Sequence, residues 1–195
     1  VKPFDAHATG SVLGEGGGII VVEAFDTALA RGATLYAEIT GFAATQSFCP
    51  DTVGLELDPD DESLGDAMDM AMRNAGVKPE EIDAIAPFGS GIPNIDQAEI
   101  AAIKRVFGPR AADIPIITTI PNTGNCCAGV GAITLAVAAK AMHAQMLPAR
   151  LNTTNAQGLC ANAAPAKAAP LRNILVTSTG IGGQNVAIVL RRVGS

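Results

Sequence analysis

Tryptophan is absent from the 195 residues, tyrosine occurs once (Tyr36) and histidine only twice. Aromatic residues make up 4% of the chain and charged residues 16%. Each shortage excludes something. A nucleic-acid binder presents a basic face, but 13 Lys+Arg against 19 Asp+Glu leave a net charge of −6. The cysteines (Cys49, Cys126, Cys127 and Cys160) lack the C-x-x-C spacing of a metal site. Cys126 and Cys127 adjoin inside an apolar run, which predicts buried thiols in a reducing cytoplasm rather than a disulfide framework. With histidine only at His7 and His143, and no G-x-S-x-G elbow, a hydrolytic triad has little to be built from. No basic stretch leads into an apolar core at the start, so no secretory signal peptide is expected. The acids between positions 51 and 62 fit no EF-hand spacing and predict a solvated loop.

Small and apolar residues are abundant: 48% of the chain is hydrophobic and 21 residues are glycine. That balance fits an α/β protein with both sheet faces covered. Residues 18–23 and 34–44 predict strands, with a short helical turn over 24–30 between them. Residues 47–61, with Pro50 and Pro59, predict a loop and a boundary between sub-structures. Leu64, Ala67, Met68, Ala71, Met72 and Ala75 recur at helical spacing, with Gly76 placed to end the helix. Residues 82–88 and 114–118 predict strands. Asp96 and Glu99 have capping-box spacing at the head of a helix running to Phe107. Residues 126–142 fall short of the ~20 strongly apolar residues that a membrane span needs. They predict a helix packed on every side. Two further strands, 173–178 and 185–193, flank a glycine turn at 180–183. The cluster Gly14, Gly16, Gly17, Gly18 precedes a strand rather than a helix, so tight packing is expected there, not phosphate binding. The opening V-K-P-F-D reads as mid-domain sequence, as expected of a piece of a longer protein.

Three segments, in order, carry a family resemblance. They are K-P-F-D-A-H-A-T-G-S-V-L-G-E-G-G-G-I-I-V-V-E (2–23), A-R-G-A-T-L-Y-A-E-I-T-G-F (30–42) and T-G-I-G-G-Q-N-V-A-I-V-L-R-R (179–192). Together they resemble the β-ketoacyl-[acyl-carrier-protein] synthases of the thiolase superfamily. The resemblance implies a five-layered αβαβα sandwich of two similar halves. Residues 1–50 would end the N-terminal half and residues 51–195 would form the C-terminal half. The nucleophilic cysteine would lie upstream. The resemblance also implies fatty acid or polyketide biosynthesis in the cytoplasm, no cofactor and no metal. Implied partners are an acyl carrier protein, a ketosynthase subunit in a homo- or heterodimer, and the other half of the fold. Neither nucleic acid nor membrane is implied.

The residues that do chemistry in that family are replaced here. Its motif N-A-H-G-T-S-T matches A-P-F-G-S-G-I (86–92), which puts Phe88 at the first histidine. Its motif S-T-K-S-x-T-G-H matches T-T-I-P-N-T-G-N (118–125), which puts Ile120 at the lysine and Asn125 at the second histidine. Ile181 falls at the family's mobile phenylalanine. Phe88 and Ile120 cannot stabilise an enolate, and Asn125 offers one amide. Residues 89–99 and 106–109 are similar to the chain-length-factor branch, whose members pair with an active ketosynthase. The expectation is a non-condensing subunit with Phe88, Asn125 and Ile181 lining a vestigial pocket. Two alternatives stay open: a condensing synthase using Asn125 with an upstream cysteine, and a dimer scaffold with a collapsed pocket.

Overall fold

The computed structural model describes residues 1–47, 62–180 and 182–194. The acids at 51–61, Cys49, most of the expected 47–61 loop and Ile181 lie outside them. In chain order the elements are α1 (Phe25–Ala30), β1 (Glu38–Gln46), α2 (Ser63–Ala75), β2 (Ala84–Ala86) and α3 (Pro93–Phe107). There follow α4 (Ile120–Thr123), α5 (Val130–Ala144), β3 (Met146–Leu147), β4 (Lys167–Ala168), β5 (Asn173–Thr179) and β6 (Gln184–Arg191). Four strands form one sheet in the order β1-β6-β5-β2, and β3 pairs with β4 in a separate ribbon. β2 runs parallel to β5, while β1–β6 and β5–β6 are antiparallel.

β5 divides the core, because successive strand side chains point to opposite faces. Leu175 joins Met68 and Met72 of α2 and Ile100 and Ile103 of α3 in one buried cluster. Ile174 and Val176 join Ala84 and Ala86 of β2 and Ala138, Ala141 and Met142 of α5 in another. The sheet is thus covered by α2 and α3 on one side and by α5 on the other. α2 buries Leu64, Ala67, Met68, Ala71 and Met72 as their spacing predicts, and Gly76 closes it in the left-handed conformation at φ 67°. β1 crosses α2 so closely that a Cβ on Gly41 would stand 2.2 Å from the carbonyl oxygen of Ala71.

The 24–30 turn, α2, β2, the β5–β6 hairpin and the helix ending at Phe107 agree with the sequence reading, and six details differ. Residues 18–23 form no strand: Ile19 is 99% exposed and Val21 81%, with no neighbouring strand among the described residues to pair with. β1 begins at Glu38 rather than at residue 34, because its ladder partner β6 ends opposite it at Arg191. Residues 114–118 are joined only by single bridges, Ile116 to Ile85 and Pro115 to Cys160. Asp96 caps nothing: α3 starts earlier, at Pro93, with Ile92 at its N-cap.

The fifth difference concerns α5, which is apolar all round but buries only the stripe Val130, Thr134, Ala138, Ala141 and Met142. The stretch Cys127–Ala144 is long and apolar enough, by length and composition, to cross a membrane. In this fold its buried stripe packs on β2 and β5. The expectation that Cys126 and Cys127 are both buried also fails, since Cys127 is exposed. The short 3₁₀ turn Cys127–Gly129 places it outward, at φ 51°.

The N-terminal arm is stitched to the loop before β4. Asp5 Oδ2 accepts the N–H groups of Thr154 (2.6 Å) and Asn155 (3.1 Å), and Oδ1 accepts that of His7 (2.8 Å). Thr153 Oγ1 donates to the carbonyl of Pro3 at 2.7 Å. These donors, Thr154 foremost, hold the Asp5 carboxyl well below the usual carboxylate range. A lowered carboxyl contributes stability above its unfolded pKa, near 3.8, and loses it as the pH falls further. Asp5→Asn is therefore expected to cost about 2 kcal/mol at pH 7. Urea unfolding from pH 7 downwards checks it: the two proteins should differ by a constant amount down to about pH 4 and draw together only below that, as the pH falls towards the lowered folded-state pKa.

Candidate functional site

Phe88 stands two residues beyond β2, where the chain leaves the sheet. Its ring bridges two apolar clusters. One is Ile92, Ile95 and Ala98 at the head of α3; the other is Val1, Ile120, Cys126, Val130 and Ile133. Ile120 is fully buried at the first position of α4. Asn125 follows Gly124 after α4 and is 8% exposed. Its Oδ1 accepts the Cys127 N–H at 3.0 Å, which leaves the amide nitrogen as its side-chain donor. Its backbone N–H donates to the Val12 carbonyl at 2.7 Å and its carbonyl accepts the Gly14 N–H at 3.0 Å. The 10–18 strap is thereby fastened beside it. The strap lies so close to this turn that a Cβ on Gly14 would stand 2.2 Å from the Thr123 carbonyl oxygen.

The structure thus brings Phe88 and Ile120 into one cluster and sets Asn125 beside that cluster's Cys126. Neither histidine joins them. His7 is exposed on the N-terminal arm, and His143 is exposed near the end of α5, with its ring 4.9 Å from that of Tyr36. Cys126 Sγ lies 3.8 Å from the Thr123 carbonyl oxygen and 3.7 Å from that of Gly124, as a weak S–H donor to either carbonyl would. Among the described residues, no three His, Cys, Asp or Glu side chains come together as metal ligands would.

Two carboxylates hold the loop that carries Phe88. Glu99 Oε1 accepts the Phe88 N–H at 2.9 Å and Oε2 the Gly89 N–H at 2.8 Å. Asp96 accepts the N–H groups of Phe4 (2.7 Å) and Gly91 (3.1 Å) and the Ser90 hydroxyl (2.9 Å). Both residues are buried. Burial, reinforced by the charge of Asp96, pushes the Glu99 carboxyl up to about 8. Burial also raises Asp96, against the pull of its donors. The sequence reading took this pair for a helix cap and missed its anchoring role. The signal was the spacing: Glu99 shares a helical stripe with Ile95 and Ile103, where a charged side chain needs a reason to be.

Residues 36–154 match the family described as "Beta-ketoacyl synthase, C-terminal domain". The chain belongs to the β-ketoacyl synthase family. It is 33% identical over 195 residues to a 3-oxoacyl-[acyl-carrier-protein] synthase 2 of Coxiella burnetii, covering 98% of this chain and 46% of that one. It is 36% identical over 196 residues to the tetracenomycin polyketide synthase ketoacyl synthase beta subunit of Streptomyces glaucescens, with the same coverages. Among solved structures, a type II polyketide acyl-carrier protein in complex with its ketosynthase aligns at a TM-score of 0.89 and 29% identity. The ishigamide ketosynthase/chain length factor aligns at 0.88 and 28%. These alignments cover 98% and 100% of this chain and 47% of each of theirs. The chain therefore has the thiolase-like ketosynthase fold and spans about half the length of the relatives it matches.

Proposed function

We propose that this β-ketoacyl synthase homologue is a non-condensing, chain-length-factor-like subunit of fatty acid or polyketide assembly. Residues 1–50 end one half of the fold and residues 51–195 form the other. Phe88 and Asn125 line its pocket; Ile181, assigned to it by the family motif, lies outside the described residues. The observation that carries the reading is the cluster of Phe88 and Ile120. Where decarboxylative condensation needs hydrogen-bond donors or a positive charge, these side chains make an apolar wall. The similarity to a ketosynthase beta subunit and to a ketosynthase/chain length factor supports it.

The same comparisons support the partners, a ketosynthase subunit and an acyl carrier protein; the proposal adds that the ketosynthase carries the cysteine and that the setting is cytoplasmic. The other half of the fold would cover the exposed flank of α5 and the unpaired residues 18–23. A cleft of about 610 Å³ between these two, lined by Ile19, Val21, Leu135, Ala136 and Ala139, marks where it would pack. The Asn125 amide supports a second reading, a condensing enzyme that works with one donor. The test is to assay the full-length protein with malonyl-carrier and acyl primer, alone and with a cysteine-bearing ketosynthase. Product only in the mixture is expected. Turnover by the full-length protein alone would establish the second reading instead.

A further inference from the structure

We propose that Asp96 and Glu99 form a pH-sensitive latch on the loop that carries Phe88, closed while the pair holds a proton and loosened when both carboxyls are ionised. The two side chains lie one turn apart on α3 and grip successive backbone amides of one short loop: Phe88 and Gly89 by Glu99, Gly91 by Asp96. Glu99 is fully buried and Asp96 is 1% exposed. Two carboxylates this close in a dry site resist ionising together, as each charge raises the cost of the other.

Among the described residues, no cation offsets them. Asp96 is the charged group that acts on Glu99. The loop contributes only backbone N–H groups and the Ser90 hydroxyl. The N-terminal arm contributes the Phe4 N–H, while its own acid, Asp5, is bound to Thr154 and Asn155. The turn and helix packed on Phe88 contribute Ile120, Val130, Ile133 and the Cys126 thiol. The two cations of α3 are engaged elsewhere, Lys104 with the Gln157 carbonyl and Arg105 with Asp66 and Glu62. The proton of the pair rests on Glu99, because Asp96 has the larger set of donors. Once the loop swings out, Glu99 meets water and releases that proton at ordinary acidity. The open form therefore binds fewer protons than the closed form, and rising pH favours opening.

Hydrogen–deuterium exchange of the full-length protein, corrected for intrinsic amide rates, tests the latch without any acyl ligand or assay. Its outcome is thus independent of the proposed function. Protection of the Phe88 and Gly89 amides should fall by nearly tenfold per pH unit between about pH 6 and 8, then level off, while β5 amides keep theirs. Glu99→Gln should flatten that dependence. Asp96→Asn should keep the slope but move its end to lower pH. Constant wild-type protection, an unchanged slope in Glu99→Gln, or parallel loss in β5 would overturn the proposal. If Glu99→Gln does not fold, Asp96→Asn decides: an unmoved end point overturns it.

Discussion

Phe88→His combined with Asn125→His, in the full-length protein, is expected to raise decarboxylation of a malonyl thioester by about 10²–10³-fold. That is the worth of a well-aimed hydrogen-bond donor to a developing oxyanion. The present site offers at most one such donor, for a plain reason. Phe88 carries no polar atom, and of the Asn125 amide only the nitrogen can donate, its oxygen being bound to the Cys127 N–H. Two imidazoles would place N–H groups where the enolate oxygen forms. The substitution at 88 also removes an aromatic ring from two apolar clusters, at a cost of about 2–3 kcal/mol. A melting curve of the double variant therefore accompanies the rate. A folded double variant with an unchanged rate would show that positions 88 and 125 do not face the thioester carbonyl.

Gly41→Val should be the most damaging single substitution for stability. The new Cβ would stand 2.2 Å from the Ala71 carbonyl oxygen and 2.8 Å from the Ala75 nitrogen, both helix backbone that cannot turn aside as a side chain can. β1 must lift from α2, and Ala43 lifts with it from the cluster that holds Met68 and Met72. Forced overpacking costs about 1–3 kcal/mol, and a backbone clash belongs at the upper end. For a chain of this size that lowers Tm by roughly 5–10 °C. Gly17→Ala is the control, since a Cβ there meets nothing within 4 Å. Calorimetry of both variants checks the contrast; equal melting temperatures would disprove it.

How much of this could be read from residues alone depended on whether a segment's partner was local. α2 declared itself, because its apolar stripe and its closing glycine lie within one stretch. The β5–β6 hairpin did so because its turn joins neighbouring strands. Residues 18–23 have the composition of a strand, but a strand is a pairing, and no residue in the segment says whether a partner is at hand. At the site, positions 88, 120 and 125 were singled out through the family motifs, whereas the carboxylates that hold the Phe88 loop were not. Asp96 and Glu99 fit two patterns equally well, a cap and an anchor. Only the earlier start of α3 and the burial of both side chains separate the two.

The sheet is closed by its first strand pairing with its last, so that Thr40 and Val189, 149 residues apart, face each other. The arm at Asp5 likewise waits for Thr154. At ~5–20 residues per second, synthesis keeps β1 without its neighbour for roughly 7–30 s. During that interval Ile39 and Phe42, still exposed in the finished fold, stand on an open strand edge. Nascent chains of this protein should therefore depend heavily on chaperones, and slowing translation should lower the yield rather than raise it.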